Sequence, residues 1–332
     1  MARRRVTLPH VQENLFDLPP PALEAVTPSD ALVELATRLP RTLHLGGMSW
    51  SYRGWVGHVY GANASDRRLA LHGLTAYGKH PLLRMVEIDR SYYDPLSAAT
   101  VRAFAEQVPD DFLFWAKAHE DTVVARFPEH ARYGMRRGAN NPRFLDPAYA
   151  REVVIAPLVE GLGSKLGGIL FQFPPQDTSD PARFAERLDA FLAGLPRVAQ
   201  YAIELRNPEL LTPAYADALA RSGAIHCHNV WTAMPSVHAQ ARRIPPAARR
   251  PLLIRWLLRT GHRYEDASAT YAPFDRIVEE DLVNRALLAQ LAARALQHEV
   301  PVQILVDNKA EGCAPESIIR LARAIADNLH RE

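Results

Sequence analysis

Four ionisable residues stand inside runs that are otherwise apolar. Glu87 interrupts Met85-Val86-Glu87-Ile88, Lys117 closes Phe114-Trp115-Ala116-Lys117, Glu204 sits in Ala202-Ile203-Glu204-Leu205, and Arg255 in Leu253-Ile254-Arg255-Trp256. A lone ion in such a run is costly to bury unless an opposite charge and hydrogen bonds meet it. The four are therefore expected to converge, either as a buried salt-bridge layer or as a site of mutually perturbed groups. Glu87 and Glu204 come from non-neighbouring runs and would face each other. With one carboxyl raised in pKa and the other ionised, they make an acid/base pair. Lys117, Arg206 and Arg255 would hold an anionic group or stabilise developing negative charge. The chemistry this suggests is hydrolysis or proton transfer on a phosphorylated or carboxylated substrate, with Glu87, Glu204 and Lys117 catalytic. Ser49, Trp50, Tyr52, Tyr93, Gln172, Arg206, Arg255 and Asn308, all at or near the ends of apolar runs, form the expected substrate-binding set.

Two other classes of function stay open. Glu87, Glu204, His228 and Asp307 would serve as ligands in a metal-dependent barrel nuclease or isomerase. No H-e-x-x-H pattern is present, and His226-x-His228 by itself is a weak signal, so no resident cofactor is expected, with a divalent metal left open. Alternatively the same cluster holds an anion, a small molecule or a nucleic-acid phosphate, without turnover. Whether a bound ligand is altered over time separates these classes.

The elements that must position these residues follow from periodicity. Short apolar runs at Thr42–Gly47, Leu82–Ile88, Phe112–Lys117, Gly167–Phe173, Gln200–Leu205, Ala224–His228, Leu252–Leu257 and Val302–Asp307 read as strands. They are mostly apolar throughout rather than strictly alternating, as expected of parallel strands covered on both faces. Helical signals lie between them. Asp146-Pro147, Asp180-Pro181 and Thr212-Pro213 each read as a cap followed by a first-turn proline. Ser97, Val101, Phe104 and Val108 share a face up to Pro109, as do Phe184, Leu188 and Phe191, and Ile318, Leu321, Ile325 and Leu329. Eight strand-then-helix units predict an α/β fold of the TIM-type (β/α)8 barrel kind, whose chemistry sits at the C-terminal ends of the strands. An open doubly wound sheet is the alternative, weakened because no G-x-G-x-x-G follows the first strand.

In this order the residues resemble the YecE-like family (domain of unknown function family 72), from about Leu43 to Asn328. The resemblance is carried by Gly47-Met48-Ser49-Trp50-Ser51-Tyr52 with Trp55 and by Val86-Glu87-Ile88-Asp89 through Tyr92-Tyr93. It continues in Phe112–Lys117, Phe171-Gln172-Phe173-Pro174-Pro175 and Ala202-Ile203-Glu204-Leu205-Arg206-Asn207. Three places depart from the usual pattern of that family: Gly47-Met48-Ser49-Trp50 stands for a G-x-S-G-W opening, Asn207 for a histidine and Asp307-Asn308 for a paired asparagine. The resemblance implies a TIM-like barrel and no established reaction. A retaining glycosidase of the commonest barrel type would need carboxylates where Gln172 and Arg255 stand.

The 332-residue chain is 48% hydrophobic and 23% charged with a formal net charge of +2, so composition forces neither a membrane nor a nucleic-acid partner. Two cysteines, and no run near the roughly 20 apolar residues of a membrane span, point to a reducing, cytoplasmic setting. The basic MARRRVTLPH lacks the apolar core of a signal peptide. Arginine pairs such as Arg242-Arg243 and Arg249-Arg250 are available to phosphate. Residues 1–40 read as an extended, proline-rich arm with helical turns near Ser29–Leu39, and residues 41–332 as a single barrel domain. The stretch from His119 to Asp146 is long for a loop and is expected to fold over the mouth, offering Arg136, Arg137 and Arg143 to an anion. In the arm, Gln12-Glu13-Asn14-Leu15-Phe16 has the Q-x-x-L-F form of peptides that dock on the bacterial DNA sliding clamp, the alternative being that Leu15 and Phe16 pack on the barrel. A peptide spanning Pro9–Pro20 should bind a sliding clamp tighter than millimolar in a fluorescence titration. Equal binding after alanine replacement of Gln12, Leu15 and Phe16 would end that reading.

Overall fold

The apolar runs form eight parallel strands in a computed structural model that describes residues 23–175, 179–247 and 249–330. They are β1 (Leu43–Gly47), β2 (Leu83–Ile88), β3 (Leu113–Lys117), β4 (Leu166–Gln172), β5 (Tyr201–Glu204), β6 (Ile225–Val230), β7 (Leu252–Trp256) and β8 (Val302–Val306). Each strand pairs with the next in sequence, and β8 pairs back onto β1 from Leu43 opposite Val302 to Gly47 opposite Val306, closing the barrel. The chain is thus an α/β barrel of the TIM type. Observed and expected strand ends differ by a residue or two, where terminal residues leave the ladder.

Capping residues start the helices as their chemistry requires. Ser97 accepts from the Thr100 amide, Asp180 from Arg183 and Thr212 from Tyr215. The helix Pro181–Ala193 buries Leu188 and Phe191, and Ala314–Leu329 buries Ile318, Leu321 and Ile325. One expectation is corrected. The helix capped by Ser97 stops at Ala105 instead of running to Pro109, whose ring disfavours helical geometry in the residue before it. Asp146-Pro147 opens a helix as expected, with Asp146 accepting from the Ala148 and Tyr149 amides, and Pro147–Tyr149 continues through a π-helical turn, Ala150–Ile155, into Ala156–Leu162.

Residues 23–40 are held against the barrel rather than extended from it. Ala25 forms a bridge with Tyr60, Leu23 and Leu35 are buried, and Arg38 beside the helix Asp30–Thr37 lies 3.7 Å from Asp327. Gln12, Leu15 and Phe16 lie outside the described residues. Among those described, no helix is long and apolar enough to cross a membrane.

Strand alternation divides the core in two. Outward residues such as Val86, Phe114, Phe171, Ile203 and Ile254 pack under the helices. Inward residues, among them Met85, Trp115, Leu170, Ala202, Cys227, Leu253 and Leu305, fill the lumen, where the Trp115 indole donates to Gln303 Oε1 at 2.7 Å. One step of two along the strands from Met85, Trp115, Leu170, Ala202 and Leu253 come Glu87, Lys117, Gln172, Glu204 and Arg255. Period two therefore stacks the polar layer directly on the apolar one.

Closure depends on a close approach of β1 to β2, where the register shifts between Leu45 and Gly46. A Cβ at Gly46 would lie 1.8 Å from the Met85 carbonyl oxygen, which is backbone and has nowhere to go. Gly46→Ala should destabilise the protein by about 3 kcal/mol in a denaturant melt, whereas Gly61→Ala, whose nearest neighbour would be 3.5 Å away, should change it little. Equal melts for the two variants would refute this account of β1.

Candidate active site

The ionisable residues of the upper lumen form one alternating chain of charge. Asp89 lies 2.6 Å from Lys117, and Lys117 lies 4.0 Å from Glu87. Both Glu87 carboxylate oxygens meet Arg255, at 2.8 Å from Nε and 2.8 Å from Nη2. Arg255 Nη1 then donates to Glu204, whose other oxygen lies 2.6 Å from Arg206. Arg255 Nη2 also reaches the Met48 sulfur at 3.5 Å. Three cations and three carboxylates from β2, β3, β5, β7 and the residues just beyond them neutralise one another in sequence. The alternation is what makes full burial of Glu87 and Glu204 tolerable.

Above the chain opens a cavity of about 490 Å3. Its described lining includes five cations, Arg90, Lys117, Arg206, Arg255 and Lys309, against two carboxylates, Asp89 and Asp307. The inequality arises because Glu87 and Glu204 lie beneath the floor and line none of it, while the cations they hold do. The Arg206 guanidinium carbon sits over the Trp231 ring, 4.1 Å from its centroid, and its Nε and Nη1 make no hydrogen bond. Lys309 is held by Asp307 at 3.0 Å and sits over the Tyr264 ring at 4.4 Å.

The environment splits the carboxylates. Burial pushes Glu87 up to about 6, against the opposing pull of Arg255 and Lys117. Burial pushes Glu204 and Asp89 in the same direction, but Arg206 with Arg255, and Lys117 respectively, override it and leave both below their ordinary values.

Of the residues singled out in the sequence, Glu87, Lys117, Glu204, Arg206 and Arg255 meet in the chain of charge. Ser49, Trp50, Tyr52, Tyr93 and Gln172 line the cavity above it. Asn308 does not: its Oδ1 accepts from the Trp55 indole at 3.0 Å and the Ala314 amide at 2.8 Å, joining two loops. His228 is turned away, because Cys227 takes the inward position on β6 and puts His226 and His228 on the outer face. The four-ligand metal set is therefore not assembled, and among the described residues no group of three or more His, Cys, Asp or Glu is placed to hold a metal.

The expected lid is also corrected. No described residue from His119 to Asp146 lines the cavity. Arg136 and Arg143 are both drawn to the buried Asp121, at 3.0 and 3.1 Å, and Arg132 to Glu120 at 2.6 Å. The excursion is folded by its own buried acids. Conversely, Trp231 and Tyr264 line the mouth without having been singled out. Trp231 follows an unusually polar strand end, with His228 and Asn229 just before Val230, whereas Tyr264 lies in the helix Tyr264–Tyr271 with no local signal.

The family described as "Protein of unknown function DUF72" matches residues 44–331. A DUF72 family protein from Enterococcus faecalis shares 17% identity and a TM-score of 0.57, covering 85% of this chain and 95% of its own. One from Thermotoga maritima shares 15% identity and a TM-score of 0.55, covering 86% and 99%. At such identities these likenesses speak to the fold alone. No curated protein matches the chain.

Glu204→Gln leaves Arg255 and Arg206 facing a neutral amide in a dry layer, and should destabilise the protein by about 3 kcal/mol at pH 7. Glu204 is held below its ordinary value of 4.5, so its contribution is complete above that pH and fades as pH falls through the folded value. The stability gap between wild type and Glu204→Gln, followed by urea melts, should accordingly narrow below pH 4.5. A gap of constant size from neutral pH to pH 3 would contradict the ion-chain assignment.

Proposed function

The chain belongs to the DUF72 family, and we propose that the mouth of its barrel takes a small anionic molecule, phosphorylated or carboxylated, and acts on it by proton transfer. One observation supports this above the others: the chain of charge turns its cations toward the cavity and hides two of its carboxylates under them. An incoming anion meets the Arg206 and Arg255 edges, Lys117 and Lys309 in a recess where partial exclusion of water strengthens each contact. Trp231, Tyr52, Tyr93 and Tyr264 give the non-ionic part of the ligand flat apolar walls.

In this reading the direct base is Asp89. It lines the cavity and is held in its ionised form by Lys117, so it can take a proton from a bound substrate. Lys117 lies between Asp89 and Glu87, and Glu87, raised to about 6, is a second proton site one step removed. Glu87 and Glu204 act as positioning residues, since neither reaches the cavity. The same burial favours a second reading, a barrel that holds an anion without altering it, and turnover separates the two.

Calorimetric titration with inorganic phosphate, glycerol phosphate and citrate provides the test. At least one should bind saturably, and Arg206→Met should weaken it roughly 10- to 100-fold, the effect of one or two charge-assisted hydrogen bonds. Asp89→Asn should keep the affinity and lose any turnover. Affinity unchanged by Arg206→Met in a folded variant would overturn the anion site. Turnover retained in Asp89→Asn would remove Asp89 as the base.

A further inference from the structure

The cavity above the chain of charge, about 490 Å3, is far larger than a phosphate or carboxylate group needs and lies within the range of small-molecule pockets. The rest of a bound molecule must occupy most of it. The aromatic side chains of the described lining are Trp50, Tyr52, Tyr93, Trp231 and Tyr264, each a ring with a polar atom, and no phenylalanine stands among them.

Four side chains bring neutral hydrogen-bonding groups to this wall. Tyr52 follows β1, Tyr93 follows β2, Gln172 ends β4 and Tyr264 follows β7. Among the described residues, neither the three phenol hydroxyls nor the Gln172 side-chain amide makes a hydrogen bond. These groups are not sealed in. Tyr93 and Tyr264 are exposed, and the polar atoms of Tyr52 and Gln172 keep accessible surface. The two carboxylates of the lining are half used. Asp89 gives one oxygen to Lys117 at 2.6 Å, and Asp307 gives one to the Lys309 amide and ammonium at 2.8 and 3.0 Å. The second oxygen of each accepts no hydrogen bond among the described residues.

In the open cavity water meets these groups. A ligand that fills the recess displaces that water, and a hydrocarbon surface would leave each group it covers without a partner. Carboxylate oxygens beside a bound anion further require that the ligand turn donors toward them. A hydroxyl meets each of these needs, because it donates to Asp89, Asp307 or an amide carbonyl and accepts from a phenol or an amide N–H. The flat ring faces suit the C–H side of a saturated ring.

Resting on the anion reading of the same mouth, we propose that its ligand is a hydroxylated ring carrying the anionic group, a sugar phosphate or a sugar acid. The anionic group lies against the cations of the floor, and Tyr52, Gln172, Asp89 and Asp307 read the hydroxyls.

Calorimetric titration of the full chain with two matched pairs tests this. Glucose 6-phosphate is compared with cyclohexylmethyl phosphate, and glucuronate with cyclohexanecarboxylate. Each pair shares a six-membered ring and an anion and differs in the sugar oxygens. In at least one pair the sugar should bind tenfold or more tighter, and the pair that shows it assigns the anion as phosphate or carboxylate. Tyr52→Phe, which removes a single oxygen, and Gln172→Leu should each narrow that ratio about 3- to 10-fold, the worth of one hydrogen bond. Arg206→Met should weaken both members of the pair alike. Cyclohexyl anions that bind as tightly as the sugars, and are still weakened by Arg206→Met, would overturn the sugar assignment and leave the anion site standing. A preference that survives both Tyr52→Phe and Gln172→Leu overturns it as well. Saturable binding by none of the four removes the anion site and this inference together.

Discussion

The guanidinium of Arg255 is the point on which the upper barrel turns. It leaves β7, crosses the lumen, and is gripped on one edge by Glu87 from β2 and on another by Glu204 from β5. These strands are not neighbours in the sheet, so the contact joins opposite sides of the wall. A planar, always-charged fork can satisfy two carboxylates at once in a fixed geometry, which a lysine cannot. Burying these charges does not of itself add stability over a well-packed apolar layer. What it does is make one arrangement of the strands acceptable, since any other pairing strands a charge without its partner.

That constraint also shapes the mouth. Because the carboxylates with the deepest positions serve the arginine, they are withdrawn from the solvent side, and what faces the cavity is predominantly cationic. The acid groups that remain accessible, Asp89 and Asp307, belong to the next step along their strands and are each tied to a lysine. The carboxylates are thereby sorted by depth: a difference of two residues separates Glu87 in β2, closed off and raised in pKa, from Asp89 just past its end, accessible and lowered. The same alternation on β6 sends Cys227 into the lumen and the two histidines to the outer face.

Much of this was legible in the residues alone. The eight apolar runs, their helical spacers and the rule that sequential parallel strands close into a barrel specify the architecture, because burial on both faces imposes a local, readable pattern on every strand. The charged interruptions at Glu87, Lys117, Glu204 and Arg255 marked the layer that must pair, because an unpaired ion in such a run is energetically untenable. What the sequence could not say was the depth at which each ion stops, which nitrogen meets which oxygen, or that Asn308 and Arg132, Arg136 and Arg143 of the 119–146 excursion are already claimed by Trp55, Ala314, Asp121 and Glu120. Nor could it say that Trp231 and Tyr264 line the mouth, or that His226 and His228 line a second cavity on the outer face of β6. These facts depend on contacts between residues tens to hundreds of positions apart, whose geometry is set by strand register and barrel closure. Composition and periodicity are local quantities, so they determined which residues are buried and charged; only the closed barrel decided what each of them touches.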